Sequence, residues 1–147
     1  MSHTIFQNKV EMRNFAYEAS KGMSEEMVKI AVAGFLENQR YTVAVGKQRE
    51  RGADIRATKE GLNLIIEAKG EGSRPEMFNN YFLSGLGEIL QRMSQRASEY
   101  GVALPAHRKY ARLIDELSYS FVRYPLRLNF YLVGEDSGVG FLKWDVK

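Results

Sequence analysis

Two acidic residues and a lysine lie in two neighbouring β-rich segments of the sequence. Asp54 belongs to the segment 52–58, and Glu67 and Lys69 belong to the otherwise apolar segment 63–69. Because strand side chains alternate between the two faces of a sheet, Glu67 and Lys69 share one face whatever connects the strands. Charged residues are seldom placed in so apolar a strand unless they are paired or functional. These three residues are therefore the first candidates for chemistry.

The connection between the two segments decides whether Asp54 joins the other two. Residues 59–62 have the length and the glycine of a hairpin loop, and a four-residue loop pairs Thr58 with Asn63. Asp54 then lies opposite Glu67 on the same face, with Cβ atoms about 5 Å apart. Two carboxylates at that distance favour a divalent cation, since Mg²⁺ is typically held by one or two carboxylates together with water and substrate phosphates. A loop of three or five residues would instead put the two carboxylates on opposite faces.

The same three residues also have a purely structural interpretation. Lys69 could neutralise both acids in a cross-strand salt-bridge cluster on a solvated face of the sheet. In the catalytic interpretation, Lys69 contacts the scissile phosphate or orients an attacking water. The spacing alone leaves both interpretations open.

The segments around these residues predict an α/β fold. The predicted order αβββαβαββ indicates a central mixed sheet with helices on its faces. Residues 1–22, whose helical periodicity is weak, are predicted to form an N-terminal arm or helix, and residues 23–147 a single domain. The predicted elements are a helix from 25 to about 40, strands at 41–45, 52–58 and 63–69, a helix from about 76 to 100, a strand at 102–105, a helix at 108–123, and strands at 126–133 and 139–144.

The motif and the order of the elements together resemble the PD-(D/E)XK nuclease superfamily. Gly52-Ala53-Asp54-Ile55 is followed by Ile65-Ile66-Glu67-Ala68-Lys69, in which Glu67 lies thirteen positions after Asp54. The superfamily pattern is an acid on one strand and acid–any–lysine on the next strand of a hairpin, after a first helix that carries a glutamate. Ala53 stands in place of the proline before the first acid, which many members also lack. Over roughly residues 24–133, the resemblance implies the αβββαβ restriction-endonuclease-like core that Holliday-junction resolvases share, here with an extra C-terminal helix and strands.

The resemblance also implies what the motif residues do. Asp54 and Glu67 would bind Mg²⁺ or Mn²⁺, with the carbonyl oxygen of Ala68 as an extra ligand, and Lys69 would be the catalytic lysine. The implied activity is a metal-dependent endonuclease that hydrolyses phosphodiester bonds of DNA. The alternative is a catalytically inactive module with the nuclease fold that binds DNA or assembles a larger nuclease or restriction complex.

The glutamate of the first helix is either Glu25 or Glu26. On a helical wheel Glu25 flanks the apolar stripe, whereas Glu26 points nearly opposite to it, so Glu25 is slightly favoured. Both glutamates also suit the first turn of a helix that begins after the N-cap Ser24, where the helix dipole stabilises acids.

Residues on the helix after the motif are candidates for binding nucleic acid. In some families of the superfamily a glutamine on this helix faces the site, and Gln91 is the candidate here, although plain solvent exposure would also explain it. Arg74 and Asn80 lie near the beginning of the same helix, where a phosphate could bind because helix N-termini favour anions. Arg92 completes this set as one of several basic residues of the sequence.

The composition sets the remaining expectations. The chain has 147 residues, no cysteine and a formal net charge of +3, so thiolate metal sites and cysteine nucleophiles are excluded. No apolar run approaches the roughly 20 residues that span a bilayer, and we expect a cytoplasmic protein without a membrane partner. The expected partner is DNA, with branched or RNA-containing forms left open. We also expect a homodimer, because cutting two strands usually needs two sites. A separate specificity subunit could in addition supply the recognition of a particular DNA.

Overall fold

Seven strands form one mixed sheet in the computed structural model, which describes residues 3–47 and 52–147. The strand order is β1-β7-β6-β5-β4-β3-β2. Strands β4, β5 and β6 run parallel, and the pairs β2–β3, β3–β4 and β6–β7 are antiparallel, while β1 pairs in parallel with β7. The strands are β1 Thr4–Ile5, β2 Thr42–Val45, β3 Ile55–Lys59, β4 Leu62–Ala68, β5 Glu99–Pro105, β6 Leu128–Val133 and β7 Val139–Leu142.

Helices flank both faces of this sheet. One face packs on α2, where Phe35 contacts Tyr131 of β6, and the other face packs on α3, where Phe82 stacks on the adjacent residue Phe130. The alternation along the strand thus divides the core into two layers. In the described ranges, no helix is long and apolar enough to cross a membrane. The helices are α1 Lys9–Phe15, α2 Glu25–Asn38, α3 Pro75–Arg92, α4 Arg108–Asp115 and α5 Tyr124–Leu126, with a short π-helix at Tyr119–Arg123.

The hairpin of β3 and β4 has the predicted register. Thr58 pairs with Asn63, and Ile55 pairs with Ile66. The loop, however, has two residues rather than four, Glu60 and Gly61, with φ angles of +48° and +84°. Positive φ at both positions is the requirement of a type I′ turn, whose twist matches that of the strands. Because the loop is shorter by an even number of residues, every side chain keeps its predicted face.

The helix α2 begins as predicted, whereas the long helix α3 ends early. The Ser24 side chain accepts a hydrogen bond from the Met27 amide and caps α2. Helix α3 ends at Arg92 rather than near residue 100, because the Met93 amide already turns back to the Leu90 carbonyl. The chain then reaches β5 three residues earlier than predicted, at Glu99, which pairs with β4.

The single helix predicted at 108–123 is wrong. Helix α4 ends at Asp115, and a separate π-helix begins after Ser118. The Ser118 side chain accepts a hydrogen bond from the Phe121 amide, and its carbonyl accepts one from Arg123. A capping serine inside the predicted helix therefore starts a new turn instead of continuing the old one.

The segment predicted as an N-terminal arm or helix, residues 1–22, is described from residue 3 onward. It contains both a strand, β1, and a helix, α1. Phe6 and Met12 are fully buried, and α1 contacts α4 and β7. The described part of this segment therefore packs into the same hydrophobic core as the rest of the chain.

Candidate active site

Four elements meet at the carboxyl end of β4. Asp54 directly precedes β3, Glu67 lies in β4, and Lys69 follows it, while the first turn of α2 and the second half of α3 approach from either side. Gly70 makes the approach of α2 possible. A β-carbon at this position would lie 2.7 Å from the amide nitrogen of Glu25 and 2.9 Å from a backbone oxygen of Met23. Only a glycine allows the exit of β4 to lie so close to the helix.

Asp54 is held by the backbone of the neighbouring strand. Its Oδ2 accepts a hydrogen bond from the Ala68 amide at 2.8 Å. Its Oδ1 lies 3.6 Å from the ammonium nitrogen of Lys29. The carboxylate is thus fixed beside Glu67, as the hairpin register requires, although Asp54 itself precedes the strand in which it was predicted.

Glu67 is a nearly inaccessible carboxylate, with an exposed fraction of 1%. Its Oε1 accepts a hydrogen bond from Arg92 Nε at 2.7 Å, and Arg92 also donates to the Gly52 carbonyl at 2.8 Å. Burial raises the pKa of Glu67 to about 7; the hydrogen bond from Arg92 opposes this rise and the neighbouring Asp54 adds to it. Arg92, which was predicted to bind nucleic acid, therefore lies inside the site and neutralises a buried acid.

Lys69 pairs with an acid that the sequence analysis missed. Its ammonium donates a hydrogen bond to Glu88 Oε1 at 2.7 Å, and the same oxygen accepts from Ser84 Oγ at 3.0 Å. Carboxylate oxygens of Asp54, Glu67 and Glu88 all lie within 4.8 Å of one another. The signal in the sequence was the spacing of Glu88 and Arg92, which are one helical turn apart and carry charges opposite to those of Lys69 and Glu67.

The first turn of α2 adds two more acids and a buried lysine. Lys29, with an exposed fraction of 1%, lies 3.4 Å from Glu25 Oε2 and 3.2 Å from Glu26 Oε1, and donates to the Gly46 carbonyl at 3.3 Å. Burial raises the pKa of Glu25, and the nearby Asp54 raises it further, whereas Lys29 and Lys69 lower it. Glu26 is about half exposed. Of the two glutamates, Glu25 is thus the one electrostatically coupled to both Asp54 and Lys69.

A cavity of about 340 Å³ opens beside Lys69. A wider surface depression of about 610 Å³ lies at the other end of the hairpin, around Gly61, and its lining includes none of the clustered carboxylates. The smaller cavity adjoins the site through Lys69 and Glu25, although the three clustered carboxylates do not line it either. It is lined by Ser24, Glu25, Lys69, Gly70, Glu71, Tyr81 and Ser84.

The other residues predicted to bind nucleic acid lie on the surface of α3. Arg74, Asn80 and Gln91 are exposed, and within the described residues none of them is hydrogen-bonded to the clustered carboxylates. Arg74 forms an ion pair with Glu76 at 3.4 Å. For Gln91 this is the solvent exposure that the sequence also allowed, and the residue of α3 that contacts Lys69 is Glu88, three positions earlier.

The donor set suits a hard divalent cation. Carboxylate oxygens from three separate elements converge within 4.8 Å, and oxygen ligands of this kind are the ones that Mg²⁺ and Mn²⁺ prefer. Burial disfavours the ionised form of Glu67, and a cation would stabilise that form. Asp54, Glu67 and Glu88 are therefore the residues that could hold a metal here.

Glu71, two residues after Lys69, anchors the loop that precedes α2. It accepts hydrogen bonds from the Tyr17 hydroxyl at 2.6 Å and from the amides of Lys21, Gly22 and Met23 at 3.0 to 3.3 Å. Burial alone would raise the pKa of Glu71, but these hydrogen bonds hold it below its ordinary value. The ionised carboxylate therefore stabilises the folded chain.

We expect Glu71→Gln to lower the free energy of unfolding by about 1–2 kcal/mol at neutral pH, because one amide oxygen cannot accept all of these hydrogen bonds. A lowered folded pKa contributes stability above the ordinary glutamate pKa, which is lost as the pH falls through the folded value. The difference between wild type and Glu71→Gln should therefore shrink towards acidic pH. Urea unfolding at neutral pH and near pH 3 measures this, and Glu76→Gln is the exposed control. A difference that is independent of pH would contradict this role of the ionised carboxylate.

Comparison with models of protein families, with curated proteins and with solved structures found no match for this chain. What the molecule does must therefore be inferred from its own side chains. Three features support such an inference: the three clustered carboxylates, the lysine beside them and the cavity that this lysine lines.

Proposed function

We propose that this chain is a metal-dependent endonuclease that hydrolyses phosphodiester bonds of DNA and belongs to the PD-(D/E)XK superfamily. The observation that carries the proposal is the cluster of Asp54, Glu67 and Glu88 within 4.8 Å, with Lys69 beside it at the mouth of a cavity. The element order α2-β2-β3-β4-α3-β5 supports it, because the resemblance implies an αβββαβ core. The pairing of β3 and β4 supports it as well, since the motif needs Asp54 and Glu67 on one face.

The metal would be held chiefly by Asp54 and Glu67, with the carbonyl oxygen of Ala68 as an expected extra ligand and Glu88 within reach. Bound there, Mg²⁺ or Mn²⁺ would lower the pKa of a water molecule and offset the negative charge of the phosphate. Asp54 is oriented for this by the Ala68 amide, which donates to Oδ2, and by Lys29, whose ammonium lies 3.6 Å from Oδ1. Glu67 is oriented by Arg92.

The protein groups would act on the phosphodiester as follows. The ammonium of Lys69 binds a non-bridging phosphate oxygen and stabilises the charge that grows on it as the water oxygen bonds to phosphorus. The bond from phosphorus to the leaving deoxyribose oxygen breaks, and that oxygen takes up a proton from a solvent water molecule. Glu25 lines the same cavity as Lys69 and can hold the proton that the attacking water gives up. Lys69 must first exchange Glu88 for the phosphate.

One observation favours a second candidate, an inactive module that binds DNA or assembles a larger nuclease or restriction complex. Glu67 is paired with Arg92, and Lys69 is paired with Glu88, so protein groups already satisfy the charges of the site. A site whose charges are satisfied in this way needs neither a metal nor a phosphate to be stable. In this case DNA specificity and assembly would depend on a partner subunit or on a second copy of the chain.

The deciding experiment incubates the protein with supercoiled, linear, branched and single-stranded DNA, with Mg²⁺, with Mn²⁺ or with a chelator. We expect cutting that needs the metal and is lost in Asp54→Asn. Glu37→Gln, which changes an exposed acid of α2, is the matched control and should cut like wild type. If wild type binds DNA without cutting it under any of these conditions, and Asp54→Asn binds equally well, the inactive module is the correct function.

A further inference from the structure

Lys29 is a buried cation among four oxygen atoms. Its ammonium lies 3.2 Å from Glu26, 3.4 Å from Glu25 and 3.6 Å from Asp54, and it donates to the Gly46 carbonyl at 3.3 Å. The residue has an exposed fraction of only 1%. Removing an ammonium from water costs several kcal/mol unless partners of opposite charge replace the water, as they do here.

Those partners come from parts of the chain that are distant in sequence. Glu25 and Glu26 lie in the first turn of α2, Asp54 directly precedes β3, and Gly46 directly follows β2. Without a positive charge between them, Glu25 and Asp54 repel each other, and Asp54 raises the pKa of Glu25. The ammonium of Lys29 therefore joins the beginning of α2 to the acid that precedes the hairpin.

The two carboxylate oxygens of Asp54 contact different groups. Asp54 Oδ2 is bound to the Ala68 amide, while Oδ1 faces Lys29. Carboxylate oxygens of Glu67 and Glu88 also lie within 4.8 Å of an oxygen of Asp54. The acids around Asp54 thus form two groups with different cations. Glu25 and Glu26 pair with Lys29, whereas Glu67 pairs with Arg92 and Glu88 pairs with Lys69.

We propose that Lys29 is the resident cation of the site, a positioning residue that occupies the place of a second divalent cation between Glu25 and Asp54. The inference rests on the proposed metal-dependent function and deepens it, because it assigns one divalent cation per chain, held on the side of Glu67. The ammonium of Lys29 balances the charges of Glu25 and Asp54 and holds the Glu25 carboxylate beside the cavity.

The test measures how many Mn²⁺ ions each chain binds. In a calorimetric titration with Mn²⁺, checked by electron paramagnetic resonance of free Mn²⁺, we expect wild type to bind one equivalent. We expect Lys29→Met, which keeps the length of the side chain and removes its charge, to bind two. Lys29→Arg restores the positive charge and should return the count to one. Lys109→Met, which changes an exposed lysine of α4, is the control and should match wild type.

The possible outcomes distinguish failure of the proposed role of Lys29 from failure of the proposed nuclease function. An equal Mn²⁺ count in wild type and Lys29→Met overturns the role of Lys29, even if the wild-type protein cuts DNA. If the wild-type protein neither binds Mn²⁺ nor cuts DNA, the proposed function is wrong. A new Mn²⁺ site in Lys29→Met would still support the proposal that Lys29 occupies the place of a divalent cation. If circular dichroism shows that Lys29→Met is unfolded, the number of Mn²⁺ ions bound is measured instead in the neutral variant Lys29→Gln, whose amide can still donate a hydrogen bond.

Discussion

Lys69→Met should lower the rate of metal-dependent DNA cleavage by about a thousandfold, the loss typical of removing one group that stabilises transition-state charge. Lys69 lines the cavity next to the clustered carboxylates, and its side chain is mostly buried. Methionine keeps the apolar part of the side chain, so the packing at the end of β4 should survive. The ammonium that would contact the phosphate is lost, and so is the partner of Glu88.

The measurement is single-turnover cleavage of a labelled DNA duplex, together with a Mn²⁺ titration of the same variant. Lys69 is not among the proposed metal ligands, so Lys69→Met should bind Mn²⁺ at least as tightly as wild type while cutting far more slowly. Lys109→Met provides the control for loss of a positive charge at the surface. Wild-type cleavage rates in Lys69→Met would remove the lysine from the chemistry and leave it as the partner of Glu88.

The parts of the site that follow from strand geometry could be predicted from the sequence. Glu67 and Lys69 share a face because the side chains of a strand alternate, and that needs no knowledge of the rest of the fold. Asp54 joins them because the loop has an even number of residues. The prediction had the loop length wrong by two residues and the face right, since only the parity of the loop matters to the face.

The parts that depend on how helices pack could not be predicted in the same way. A helical wheel gives the apolar side of α3 but not how far polar residues at its border reach across the sheet. Gln91 was therefore chosen by resemblance, and Glu88, which contacts Lys69, was missed. Lys29 was missed for a similar reason, because lysine is among the residues least often fully buried, and only the packing of α2 beside Asp54 encloses it.

The π-helix illustrates a third limit. An apolar stripe at helical spacing continues through residues 108–123, and it predicted one uninterrupted helix. Ser118 lies within that stretch, where its side chain and its carbonyl bind the amides of Phe121 and Arg123. Local hydrogen bonds of a serine compete with helix continuation, and the sequence pattern alone does not tell which of the two is more stable.

Arg92→Gln should tighten Mn²⁺ binding by roughly ten- to a hundredfold, because it removes a positive charge a few ångströms from the metal ligands. Arg92 lies 2.7 Å from Glu67, and Glu88, one turn earlier on α3, lies 2.7 Å from Lys69. Helix α3 thus supplies Arg92 as the partner of Glu67 and Glu88 as the partner of Lys69. A metal at Glu67 must compete with the guanidinium that is already there.

The Mn²⁺ titration of Arg92→Gln belongs at mildly alkaline pH, since without the guanidinium the pKa of Glu67 rises and protons compete with the metal. The sequence also predicts that Arg92 binds nucleic acid. If the metal releases Arg92 from Glu67 for that contact, the same variant should bind DNA more weakly while it binds Mn²⁺ more tightly. Arg96→Gln, which changes an exposed arginine four positions after Arg92, controls for the change in net charge. A merely structural Arg92 would weaken both kinds of binding together, and that result would overturn the competition between Arg92 and the metal.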